Sequence, residues 1–192
     1  VPREVIEELI EMARWVPTAS NSQNVSFTVI DDPVRLRQLS DRIIDFYETL
    51  NQQMIDHSYV ESIAADEGID TLEHLGKVSP KYERLVRRYR QGEPALFWGA
   101  PTLLLAHANQ TDYFSRDNCL FAVYNFMLGA VARGLGTCLI GFAVRALQLD
   151  PAIGELVDLP SGHAVYAACV LGYPRYSYQR VVQRNPIPTR WL

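Results

Sequence analysis

The chain has 192 residues, 48% of them hydrophobic and 21% charged, with a formal net charge of -4 at pH 7. Such a chain buries one substantial core and favours one domain over two, and its acidic balance without a clustered basic face argues against nucleic-acid binding. Three widely separated cysteines with no CxxC pair exclude a disulfide framework or a cysteine-based metal site, and no apolar run approaches the roughly 20 residues that cross a bilayer.

Pro2 suits the first turn of a helix. Val5, Ile6, Leu9, Ile10 and Ala13 recur at helical spacing opposite Glu4, Glu7, Glu8 and Glu11, so a first helix is expected to end by Pro17. Val16-Pro17-Thr18-Ala19-Ser20-Asn21-Ser22-Gln23 follows. Its small hydroxyl and amide side chains can hydrogen-bond a planar, heteroatom-rich ligand without adding charge, and they are also ordinary turn residues. Val25 to Ile30 reads as a short strand, and Pro33 opens a helix carrying Leu36, Leu39, Ile43, Ile44 and Tyr47. From 51 to 99 the pattern is helical but interrupted, with breaks expected at Gly68, Gly76, Ser79-Pro80 and Gly92-Glu93-Pro94. Such an insertion serves either as a lid over a pocket or as packing helices. Within it Lys81, Arg84, Arg87, Arg88 and Arg90 read as a solvated helix face.

Pro101 to His107 is short and, from Leu103 to Ala106, uniformly apolar, which marks a buried strand. The helix between Arg116 and Arg133 is apolar almost all round and has to be covered on every side, which points to a partner subunit. Arg133-Gly134-Leu135-Gly136-Thr137-Cys138-Leu139-Ile140-Gly141 closes that helix and runs into a strand. Gly134 suits the C-cap, and a Gly-x-Gly-x-x-x-x-Gly spacing after a helix is not a dinucleotide fingerprint. Cys138 reads as a buried structural thiol. Ala164 to Leu171 forms the last strand, followed by Gly172-Tyr173-Pro174-Arg175-Tyr176 and an extended basic tail. His57, His74, His107 and His163 sit in separate segments without ligand spacing, so no metal is expected. Strands separated by helices define an α+β layered domain over residues 1–192.

Three segments in this order resemble the FMN-dependent nitroreductase family: the Pro17-Thr18-Ala19-Ser20-Asn21-Ser22-Gln23 turn, the Gly134-Leu135-Gly136 to Gly141 run, and Gly172-Tyr173-Pro174 with its trailing arginines. The last is similar to a branch often fused behind a ferredoxin-like domain. The resemblance implies a mostly antiparallel sheet flanked by helices, a long buried dimer helix, an extended C-terminal tail, and a cytoplasmic homodimer with FMN at the subunit boundary. It implies that Pro17, Thr18 and Ala19 approach the flavin from the neighbouring subunit, and that Asn21 and Gln23 brace the loop or reach polar ring atoms. Backbone N–H groups of Leu139, Ile140 and Gly141 would meet the ring edge. Arg180 and Arg184 would hold the phosphate through planar guanidinium forks, or remain surface charges. Asp117, Asn118 and Asn125 match polar positions of the central helix, for which capping or interface bonding is the simpler account. Tyr82, Tyr89 and Phe97 are expected to line the acceptor site.

No catalytic side chain is required, because a flavin itself passes on the hydride. The implied reaction is ping-pong transfer from NAD(P)H or a ferredoxin-type iron-sulfur donor to a nitroaromatic, quinone or other small conjugated acceptor. The scaffold also admits flavin cleavage, dehalogenation or dehydrogenation, and a flavin- or ligand-binding module without turnover. Family members carry a basic Arg-x-Ser-x-Arg segment before the point at which this sequence starts, so a preceding segment is expected, the alternative being a chain that holds FMN weakly or not at all.

Overall fold

The computed structural model describes residues 1–55, 70–177, 179–180 and 182–192, apart from the side chains of 55 and 70–78. Helix α1 (Arg3–Ala13) buries Ile6, Leu9 and Ala13, one stripe of its 3.6-residue period. Strand β1 (Ser26–Ile30) leads to α2 (Pro33–Ile55), where the Asp32 carboxylate accepts the Arg35 N–H at 2.7 Å and caps the first turn. The remaining elements are α3 (Asp70–Arg90), β2 (Thr102–Asn109), α4 (Ser115–Ala132), β3 (Gly136–Leu139), α5 (Gly141–Leu149), α6 (Pro151–Glu155) and β4 (His163–Gly172).

The strands form one sheet in the order β1-β2-β4-β3, with every neighbouring pair antiparallel. Helices cover both faces, which is why β2 is apolar without alternation. Against one face α1 and α4 pack Leu9, Cys119 and Phe126 on Leu104, Ala106, Cys169 and Leu171. Against the other, α2, α3, α5 and α6 pack Leu39, Ile43, Tyr47, Tyr82 and Ile153 on Leu103, Leu105 and Val170. A bulge pairs Ala106 with Ala167 and His107 with Val165, leaving Tyr166 as the extra residue on β4.

Several expectations are corrected here. Helix α3 runs through Gly76 and Pro80 without a break; packing of Tyr82 and Leu85 into the core against α2 outweighs the local cost of both residues. Gly68 and His57 lie outside the described residues, as does the side chain of His74. Tyr82 is a core residue rather than an acceptor wall, whereas Phe97 and Tyr89 border a cavity of about 500 Å³ with Leu36, Arg37 and Pro94, where the Tyr89 hydroxyl donates to the Asp41 carboxylate at 2.9 Å. The basic stretch of α3 is partly paired: Arg90 bridges Asp45 and Glu48 of α2 at 2.6 Å each, and Arg88 meets Glu93. Cys138 is exposed on the edge strand β3, whereas Cys119 and Cys169 are buried. In a single copy α4 is buried on one side only, and Phe121, Tyr124, Leu128 and Val131 are exposed on the other.

Candidate functional site

Between α1 and β1 the chain makes a turn of 3-10 helix over Ala19–Asn21. Ser20, Asn21 and Gln23 all hold left-handed backbone, with φ of 53°, 54° and 49°. Each such non-glycine residue costs on the order of 1 kcal/mol, so surrounding contacts have to hold the loop in place. They converge on Asn118, a side chain buried in the first turns of α4. Its Oδ1 accepts the Ala19 N–H at 3.0 Å, while its Nδ2 donates to Ser22 Oγ at 3.1 Å and Asn24 Oδ1 at 2.9 Å. Asn24 in turn donates to Asp112 and Ser115. Within the loop Gln23 Nε2 donates to Asn21 Oδ1, and the Gln23 N–H donates to Thr18 Oγ1.

Asn118 therefore neither caps α4 nor faces outward; the N-cap position is taken by Phe114, with φ 60°. The sequence offers only an amide in a polar first turn, after Ser115, Arg116 and Asp117, which spacing alone does not connect to a loop 94 to 99 residues away. Asn125 acts similarly, donating to the Met12 carbonyl at 2.6 Å and fixing the end of α1 from which the loop departs. Thr18 and Gln23 line a cavity of about 320 Å³ beside Val25 and Phe27, and Ala19 and Ser20 line another of about 300 Å³. Pro17 stands exposed at the loop's entry.

The second expected segment lies elsewhere. Leu139 ends β3 and is exposed, whereas Ile140 is a core residue whose N–H donates to the Ala168 carbonyl at 2.8 Å. That N–H is spent on the sheet, which leaves the start of α5, beginning at Gly141, as the segment's free donor end. No side chain caps α5 among the described residues, and a Cβ on Gly141 would meet nothing within 4 Å. Gly134 holds φ 69° and ends α4 as expected, with Leu135 N–H on the Ala130 carbonyl and Gly134 N–H on the Val131 carbonyl.

The loop enters β1 at one edge of the sheet, while Gly141 follows β3 at the other. Three strand spacings, about 14 Å, separate the edges, so the two segments stand at opposite edges of the sheet in one copy. Arg180 and Arg184 stand exposed on a tail without regular structure.

His107 and His163 meet across the bulge, Nδ1 to Nδ1 at 2.9 Å, and His107 Nε2 lies 3.1 Å from Thr28 Oγ1. Burial, and then the neighbouring imidazole, push His107 down to about 4. Among the described residues no cluster of three or more metal-ligating side chains occurs.

The molecule is thus a layered α+β protein with a strained, uncharged polar loop at one sheet edge and an uncapped helix start at the other. The chain belongs to the nitroreductase family, whose model matches residues 1–173. No curated protein matches it. Among solved structures it is similar to an FMN-bound nitroreductase from Bacteroides fragilis (18% identity, TM-score 0.65, covering 98% of this chain and 84% of that one). It is also similar to the FMN and NADPH-dependent nitroreductase NfnB from sphigopyxis sp. strain HMH (16%, TM-score 0.60, 97% and 91%). A third is an iodotyrosine deiodinase bound to FMN and 3-iodo-L-tyrosine (20%, TM-score 0.56, 97% and 89%).

Proposed function

We propose that the protein is an FMN-dependent oxidoreductase that works as a homodimer, each of two sites taking the 17–23 loop from one copy and the Gly141 segment from the other. The observation that carries this reading is the split of the two segments between opposite sheet edges, together with an apolar stripe on α4 that one copy leaves exposed. The residues suit the cofactor. A neutral loop rich in amides and hydroxyls matches the donors and acceptors of a planar heteroaromatic ring. Gly141 has no packing reason within its own copy to be glycine, and an uncapped helix start offers N–H groups to an acceptor atom.

When bound, FMN would take up electrons from the donor, as hydride where that donor is a nicotinamide, and pass them to the acceptor. The chain's part is to orient and to select. The Asn118 network fixes the loop so that its polar groups are presented without rearrangement, and Arg180 and Arg184 are the cations assigned to the phosphate. The reductant is NAD(P)H or an iron-sulfur protein, and the acceptor a nitroaromatic, quinone or similar conjugated molecule. A dehalogenase reading is second, supported by the likeness to iodotyrosine deiodinase.

The test is the visible spectrum of the purified protein with FMN, then NAD(P)H, then a quinone. Retained flavin that bleaches and recovers supports the reductase. Flavin retained but not reduced by either nicotinamide favours the iron-sulfur donor, and a chain that retains none overturns the proposal.

A further inference from the structure

We infer that Tyr113 and Phe114 form the wall on which this protein's electron acceptor stacks, and that the acceptor is a neutral planar aromatic; the inference rests on the flavin reading above. The two side chains are large aromatics left in water, Tyr113 at 84% and Phe114 at 50% exposure. They stand edge to face with ring centroids 4.7 Å apart, and neither belongs to a core cluster. Folding therefore gives no reason for apolar surface at this point.

Their position does. With Ala19, Ser20, Asn24 and Asp112 they line the cavity of about 300 Å³ against the strained loop, a volume at the small end for a ligand pocket and suited to one or two fused rings. The wall is also held still. The one Ser115 O–H is shared between the carbonyls of Asn109 and Asp112, the Phe114 carbonyl accepts the Asn118 N–H at 3.0 Å, and the Asp112 carboxylate accepts from Asn24. One network thus fixes the loop and the aromatic pair in register, so that little freedom is lost when a ring binds. The Asp112 carboxylate sets the charge preference: it disfavours acceptors that themselves carry a carboxylate, and the loop offers no cation to offset it.

The experiment uses the full chain loaded with FMN. Selectivity is read as the ratio of kcat/KM for nitrobenzene to that for ferricyanide, which has no aromatic face. Tyr113→Ala and Phe114→Leu are expected to lower that ratio about three- to tenfold, the range an aromatic contact supplies, and Tyr113→Phe to restore it. Equilibrium dialysis of benzamide, which is not reduced, should show a weakening of the same size without any turnover. Asp112→Asn should improve 4-nitrobenzoate relative to nitrobenzene. Tyr113 is so exposed that its loss leaves folding intact. An unchanged ratio with unchanged benzamide affinity, in a chain that holds FMN and reduces ferricyanide, overturns the aromatic wall alone. So does a Tyr113→Ala variant that sediments as a monomer where the parent chain is a dimer, since the pair would then be an interface. A chain that takes no FMN overturns the flavin reading and the acceptor role with it.

Discussion

At the scale of single residues, the candidate site depends most on a buried amide of α4. Asn118 uses both ends of its amide on the loop, and removing it strands the Ala19 N–H and loosens three left-handed residues. Asn118→Ala should lower the unfolding free energy by about 2 kcal/mol, read from the urea midpoint, and weaken FMN retention. A loss under about 0.5 kcal/mol would show that the loop holds itself. His107 gives a second prediction. The unfolded chain takes a proton at the ordinary histidine value near 6.5, but the folded chain does so only near 4. Protons therefore favour unfolding between those values, and the contribution of His107, complete above 6.5, is lost as pH falls. Stability should drop by about 2 kcal/mol from pH 7 to pH 5, and a His107→Gln variant should flatten that slope. A parent chain equally stable at both pH values would refute the burial effect.

At the scale of elements, local patterning carried most of the fold and little of the site. The periodicity of α1, α2 and α4 and the apolar runs of β1, β2 and β4 are legible because each element's pattern follows from which of its faces are covered. Pro80 and Gly76 misled because a helix docked through Tyr82 and Leu85 tolerates breakers that an isolated helix would not. The bulge that joins His107 to His163, and the partnership of Asn118 with Ala19, are matters of strand register and helix docking, which no local spacing encodes. Helix α4 was legible in a different way. Its all-round apolarity resolves into a face packed on the sheet and an exposed stripe of Phe121, Tyr124, Leu128 and Val131 at helical spacing. Phe121→Glu with Leu128→Glu, both on the exposed side, should leave the chain folded by circular dichroism but monomeric in sedimentation. A double variant that still sediments as a dimer would place the interface elsewhere.

At the scale of the whole molecule, the order β1-β2-β4-β3 decides what one copy can do alone. With the loop at the β1 edge and Gly141 beyond β3, the proposed site, which takes both segments, requires a two-fold dimer in which each copy lends one segment and borrows the other. This arrangement has a genetic consequence. An Ala19→Trp variant spoils the loop and a Gly141→Val variant spoils the helix start, so neither homodimer should retain flavin. Unfolded together and refolded as an equal mixture, half of the dimers are mixed. In a mixed dimer one site collects both altered segments and the other collects neither, so about a quarter of all sites are intact and flavin retention should recover to about that fraction. If both segments served a site within one copy, every site in the mixture would carry one lesion and no flavin would return. Recovery near a quarter would fix the shared site, and its absence alongside two well-folded variants would assign the loop and the Gly141 segment to separate functions.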